Sequence, residues 1–179
     1  APFGKTPADT LTQKYLQEEK EIGEYKIRVY RNQRTWNHSV LQIFKNDVMV
    51  FSDEDYYFEI VETGRYAAEH EDFVIEDLTK AGKDISRYGE TDLVVYSWTG
   101  GVHGAQSVHI FSIGSTFRVT YASKGDVGSW SRFEDLNSDG ILEFIAIDKN
   151  FEYWHTGYAD SPFVEVVLAY KGGTYRFAT

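Results

Sequence analysis

Val40-Leu41-Gln42-Ile43-Phe44, Lys45-Asn46-Asp47, Val48-Met49-Val50-Phe51: two apolar runs flank a polar three-residue break. In the first run Val40 and Gln42 alternate with Leu41 and Ile43, the period of two that places successive side chains on opposite faces of a strand. The break holds the residue types that tolerate a left-handed backbone, so the stretch reads as a β-hairpin. The same pattern recurs outward from it. Upstream lies Tyr25-Lys26-Ile27-Arg28-Val29-Tyr30. Downstream come Asp92–Tyr96, Ser107–Phe111, Phe117–Tyr121, Phe144–Ile147, Val164–Tyr170 and Tyr175–Phe177. These segments predict an all-β, mainly antiparallel protein.

Two stretches break the pattern. Pro7 to Glu24 carries Leu11, Tyr15 and Leu16 as a loose apolar stripe behind a capping Thr10, and it predicts an N-terminal helical segment over residues 1–24. Arg65 to Lys83 scatters apolar residues among charges and reads as helical or irregular.

Over residues 25–179 the strands fall into three similar units, about 25–64, 84–123 and 133–179, expected to form one β domain. Each unit has a loop bearing Trp and His: Trp36 and His38, Trp98 and His103, Trp154 and His155. Three such units are fewer than a conventional closed propeller, which has about four to eight blades. The architectures left open are propeller-like blades, a sandwich and an open barrel.

The chain has 179 residues, with 42% hydrophobic and 16% aromatic side chains, enough for a core without disulfide or metal staples. A net charge of -10 disfavours nucleic acid and anionic membranes as partners. No apolar run reaches the roughly 18 residues of a membrane-spanning helix. With no cysteine, thiol chemistry and cysteine-ligated zinc are excluded. The opening Ala1-Pro2-Phe3 lacks an initiator Met, and the expectation drawn from it is an exported protein, secreted or periplasmic, with its signal removed.

The strongest chemical motif is Asp135-Leu136-Asn137-Ser138-Asp139-Gly140-Ile141-Leu142-Glu143. Oxygen-bearing side chains stand at positions 1, 3, 5 and 9, Gly at position 6, and the Ile141 carbonyl can join them. A hard cation such as calcium takes about six to eight oxygens, and alternating Asp and Asn supply them from one side of a coiled loop. The metal-ligand set is therefore Asp135, Asn137, Asp139, Ile141 and Glu143. Position 12, where an EF-hand needs a bidentate Glu, is Ala146, so the loop feeds a strand instead. The competing reading is an Asx-rich turn whose carboxylates cap backbone amides.

This motif, followed by an acidic residue and an apolar strand, resembles the FG-GAP / VCBS repeats of exported bacterial proteins, related to the calcium-binding blades of integrin-type propellers. The stretches Gly100-Gly101-Val102-His103 and Phe151–Pro162 are similar to uncharacterised exported proteins of the same group, and the resemblance runs from about Gly82 to Thr179. It implies a blade-like fold and calcium use, with Asp135, Asn137, Asp139 and Glu143 at the family's ligand positions. A second copy, Asp84 to Val95, places Asp84, Ser86 and Asp92 at positions 1, 3 and 9 but Tyr88 at position 5. It reads as a loop that keeps its turn and has lost its ion.

The Trp- and His-bearing loops offer Trp154, His155, Tyr153, His103 and Trp98 as ligand contacts, suited to stacking on a carbohydrate or a protein partner. His38, His103 and His155 are also conceivable transition-metal ligands, although no two form a short-spaced pair. Glu152, His155 and Asp160 are the residues a hydrolytic enzyme would use. No nucleophile elbow, phosphate loop or dinucleotide fingerprint occurs. The sequence thus favours a calcium-binding module with a binding or structural role over a secreted carbohydrate-active hydrolase. A further alternative is an acidic inhibitor or immunity-type protein presenting Asp53-Glu54-Asp55 and the Glu69–Asp77 region to a basic partner.

Overall fold

The computed structural model describes residues 15–31, 38–61, 82–98, 106–123, 131–162 and 164–178. Among them there is no α-helix, and twelve strands form three four-stranded antiparallel sheets, none of them closed into a barrel. Each sheet uses four strands consecutive in the chain.

The first sheet runs β1 (Leu16–Ile22), β2 (Tyr25–Arg31), β3 (Ser39–Lys45), β4 (Val48–Asp55) in that order. Its centre is apolar: Ile27, Val29, Leu41 and Ile43 are fully or almost fully buried, with Ile27 opposite Ile43 and Val29 opposite Leu41. The β3–β4 hairpin turns at Asn46 and Asp47, whose φ angles of 48° and 62° are those of a two-residue type I′ connection.

The helix expected up to Glu24 is corrected here, because Leu16–Ile22 is a strand and residues 1–14 lie outside the described set. Gln17, Glu19 and Glu21 are exposed while Leu16, Glu18, Lys20 and Ile22 are half-buried, a period of two. Gly23, at φ 57°, reverses the chain so that Ile22 faces Tyr25, and the whole segment pairs with β2. Glu, Gln and Lys favour a helix only weakly, and a pairing edge outweighs that preference. The Arg65–Lys83 expectation falls mostly outside the described residues; Gly82 is in a turn and Lys83 makes an isolated antiparallel bridge to Asp92.

The second sheet is β5 (Tyr57–Ile60), β6 (Asp92–Trp98), β7 (Gln106–Ile113), β8 (Phe117–Ala122). The third is ordered β12 (Thr174–Phe177), β11 (Val164–Lys171), β10 (Glu143–Asp148), β9 (Arg132–Glu134). The chain divides into two compact units, with boundaries at Glu59/Ile60 and on either side of residues 97–104. The first sheet lies in one unit; the third and most of the second lie in the other.

Among its described residues the second unit has a shared apolar core. Val94 and Tyr96 of β6, Val108 and Ile110 of β7, Phe133 of β9, Phe144 and Ala146 of β10, Leu168 and Tyr175 pack together with Ile85 and Leu142. Tyr175 is tied down by its hydroxyl, which donates to the Leu142 carbonyl at 3.1 Å, and burial raises its pKa. Ile85 and Leu142 each sit within one of the two acidic loops, so the core anchors both.

Candidate functional site

Asp135–Glu143 begins directly after β9 and ends on the first residue of β10. The Asp135 carboxylate folds the loop around itself: Oδ1 accepts from the Asp139 amide at 3.1 Å and Oδ2 from the Gly140 amide at 2.9 Å. Asn137 Oδ1 accepts from Asp139 N at 2.9 Å, and Asp139 Oδ1 accepts from Ile141 N at 2.7 Å. The buried Glu143 carboxylate reaches back to the Leu136 amide at 2.9 Å. Ser138 and Gly140 take positive φ, 62° and 84°. At Gly140 the left-handed conformation favours glycine, and a Cβ there would also press on the Arg87 guanidinium at 3.3 Å.

Two acceptor oxygens remain turned inward, Asp139 Oδ2 and Glu143 Oε1. Both receive the Asn137 Nδ2 group, at 2.9 Å and 3.4 Å. A partial positive charge thus stands between two carboxylates, with a third, Asp135, bracing the turn. The donors are all hard oxygens once the Asn137 amide is turned to present Oδ1, a rotation that gives up its bond from the Asp139 amide. This donor set fits a hard cation by its chemistry. Among the described residues no group of three or more His, Cys, Asp or Glu side chains already converges as a metal site.

The second loop, Asp84–Asp92, repeats both bonds of the position-1 carboxylate. Asp84 Oδ1 accepts from Tyr88 N at 3.1 Å and Oδ2 from Gly89 N at 2.9 Å. Arg87 and Gly89 carry φ of 52° and 79°, the counterparts of Ser138 and Gly140. Asp92 Oδ2 accepts from the Ser86 amide at 2.9 Å. The two loops are cross-linked: Leu142 N donates to the Ile85 carbonyl at 3.1 Å, and Arg87 Nε to the Gly140 carbonyl at 2.9 Å. Position 9 is buried in both loops, which spacing could not reveal, and more deeply in the second. Asp92 is only 2% exposed, and burial pushes its pKa up to about 6, the Asp84 charge adding to the rise and hydrogen bonds from Ser86 and Ile85 opposing it.

The aromatic ligand-contact candidates are dispersed. Trp98 packs edge-on against Tyr56 at 5.5 Å, and His103 lies outside the described residues, as does Trp36. His38 approaches Glu54 at 3.6 Å. Tyr153 and Trp154 are 54% and 59% exposed, on a loop between two 3₁₀ turns, Lys149–Phe151 and Tyr158–Asp160. Tyr153 and His155 are both left-handed, at φ 61° and 58°, a strained state for such side chains that Ser161 secures by accepting the Tyr153 amide and donating to the Gly157 carbonyl. Trp154 is flanked by Phe151 and His155 at 5.6 and 5.7 Å.

Of the hydrolase candidates, Glu152 pairs with Lys149 at 3.0 Å, His155 contacts the Trp154 ring, and no hydrogen bond or ion pair joins either to Asp160. Of the acidic patch, Asp53 and Asp55 cap the Glu54 and Tyr56 amides, and Asp55 also accepts from Ser97 Oγ; residues 69–77 lie outside the described set. Comparison of the chain with known protein families, curated proteins and solved structures gives no match.

Proposed function

We propose that the chain is an exported, calcium-binding β module of the FG-GAP / VCBS kind, its sheets serving as blade-like units, with calcium stiffening Asp135–Glu143. One observation carries the reading: Asp139 Oδ2 and Glu143 Oε1 converge on a single donor group, Asn137 Nδ2, in a loop already coiled around Asp135. Two carboxylates directed at one point repel each other, and a divalent cation offsets that repulsion far better than an amide does. The exposed and backbone-strained Tyr153–His155 segment favours a binding role over a purely structural one, for a protein or carbohydrate partner. Glu152 is taken up by Lys149 and His155 lies against the Trp154 ring, which supports the module reading over the hydrolase alternative.

Extracellular calcium modules bind at about 10⁻⁴ to 10⁻³ M. At millimolar calcium that corresponds to roughly 0.5–1.5 kcal/mol of added stability. Thermal unfolding is therefore expected to shift upward by about 2–6 °C with calcium, and Asp139→Ala should remove most of the shift. An unchanged melting temperature in the wild type would reduce the loop to a self-capped turn.

A further inference from the structure

The second acidic loop has a property its sequence conceals. Asp92 lies beneath the loop with Oδ2 held by the Ser86 amide, yet its other oxygen, Oδ1, is buried with no hydrogen-bond partner within bonding geometry among the described residues. An unpaired carboxylate oxygen away from water is among the costlier groups a fold can bury. It is not alone. The hydroxyl of Tyr170 on β11 is also buried beside Ser86, with no partner within bonding geometry among the described residues, and it interacts electrostatically with Ser86 and Asp92. Ser86 is itself buried, with its Oγ 3.5 Å from Asp84 Oδ1.

We infer that Asp84–Asp92 is a second cation site, in which Asp92 Oδ1, the Asp84 carboxylate and Ser86 Oγ bind a hard divalent ion of the calcium class. Tyr88 at position 5 removes one side-chain oxygen, and the buried Asp92 at position 9 takes over as the charged anchor. Backbone carbonyl and water oxygens complete the shell. The surroundings tolerate the charge. Arg118, whose guanidinium lies 5.7 Å from the centre of the Tyr88 ring, is neutralised by Glu90, which also accepts from Ser112 and Ser115. Arg87 turns away to the Gly140 carbonyl. With two carboxylates in place of three, this site should bind about tenfold more weakly than Asp135–Glu143.

The inference does not require the first loop to bind, and a terbium titration separates the two. Terbium replaces calcium at oxygen sites, and Tyr88 and Tyr170, 6.0 Å apart beside the second loop, are placed to sensitise its luminescence. Two ions per chain are expected in the wild type, both displaced by excess calcium. Asp139→Ala should retain one, and Asp139→Ala with Asp92→Asn none. Ser86→Ala, which keeps the buried carboxylate, should weaken the ion left in Asp139→Ala several-fold, and it provides the test if Asp92→Asn does not fold. A wild type that binds one ion, lost in Asp139→Ala, would overturn the second site and leave the first intact. An ion that survives in both Asp139→Ala/Asp92→Asn and Asp139→Ala/Ser86→Ala would place it elsewhere and overturn the assignment. No ion in the wild type would overturn both sites.

Discussion

Asp135 and Asp84 each satisfy two consecutive amides with one carboxylate, a bond set that organises the loop whether or not an ion is present. Asp135→Ala should therefore destabilise the calcium-free protein by about 1–3 kcal/mol, since two amides lose a charged acceptor; urea unfolding in a chelator measures it. Asp92 behaves differently because its burden is burial. In metal-free protein its pKa rises from the ordinary 3.8 to about 6, so between those values the fold holds a proton that the unfolded chain has released. Stability thus falls as pH rises through that window, by roughly 3 kcal/mol in all, and the loss is complete above it. Asp92→Asn should flatten this part of the pH–stability curve. The loop's ligand spacing was legible in the sequence, as was the Gly at position 6. The burial of Asp92 was not, because position 9 reads alike in both loops until β6 carries it beneath Ser86.

At the scale of elements, the alternating runs found their strands, as in the buried β3 and the more exposed β4 on either side of Asn46-Asp47. That turn holds two non-glycine residues left-handed, each at a cost. Asp47→Gly should stabilise the hairpin by several tenths of a kcal/mol, up to about 1, the gain at φ 62° exceeding glycine's entropy and the loss of a long, exposed contact with Lys26. Chemical denaturation with an unchanged m-value checks it. β1, β5 and β9 escaped the sequence for separate reasons. β1 is built from Gln, Glu and Lys, which suit a helix face as well as a sheet edge, and only its register with β2 decides between them. β5 and β9 have four and three residues, too few to display a period.

For the molecule as a whole, the balance of charge sets a condition on stability. A net charge of -10 repels itself in the folded state. In chelator, raising sodium chloride from about 10 to 200 mM shortens the screening length from about 30 to 7 Å, and the melting temperature should rise. If calcium neutralises the acidic loops, the same salt step should produce a smaller rise with calcium present. Differential scanning calorimetry of the two series makes that comparison. Strand topology also becomes visible only at this scale: each sheet uses consecutive strands, although residues 61–91 stand between β5 and β6, and the core of the second unit draws on residues from Val61 to Tyr175.

By itself the sequence determined the class of fold and the place of the acidic loops. Alternation of apolar residues and Asx-Gly spacing are local patterns, written within a few neighbours of each residue. Tertiary structure alone decided that Leu16–Ile22 is a strand and that Asp92 buries an oxygen with no hydrogen-bond partner among the described residues. Each of these depends on partners distant along the chain, and burial, which sets the cost of an unpaired charge, is a property of the assembled core.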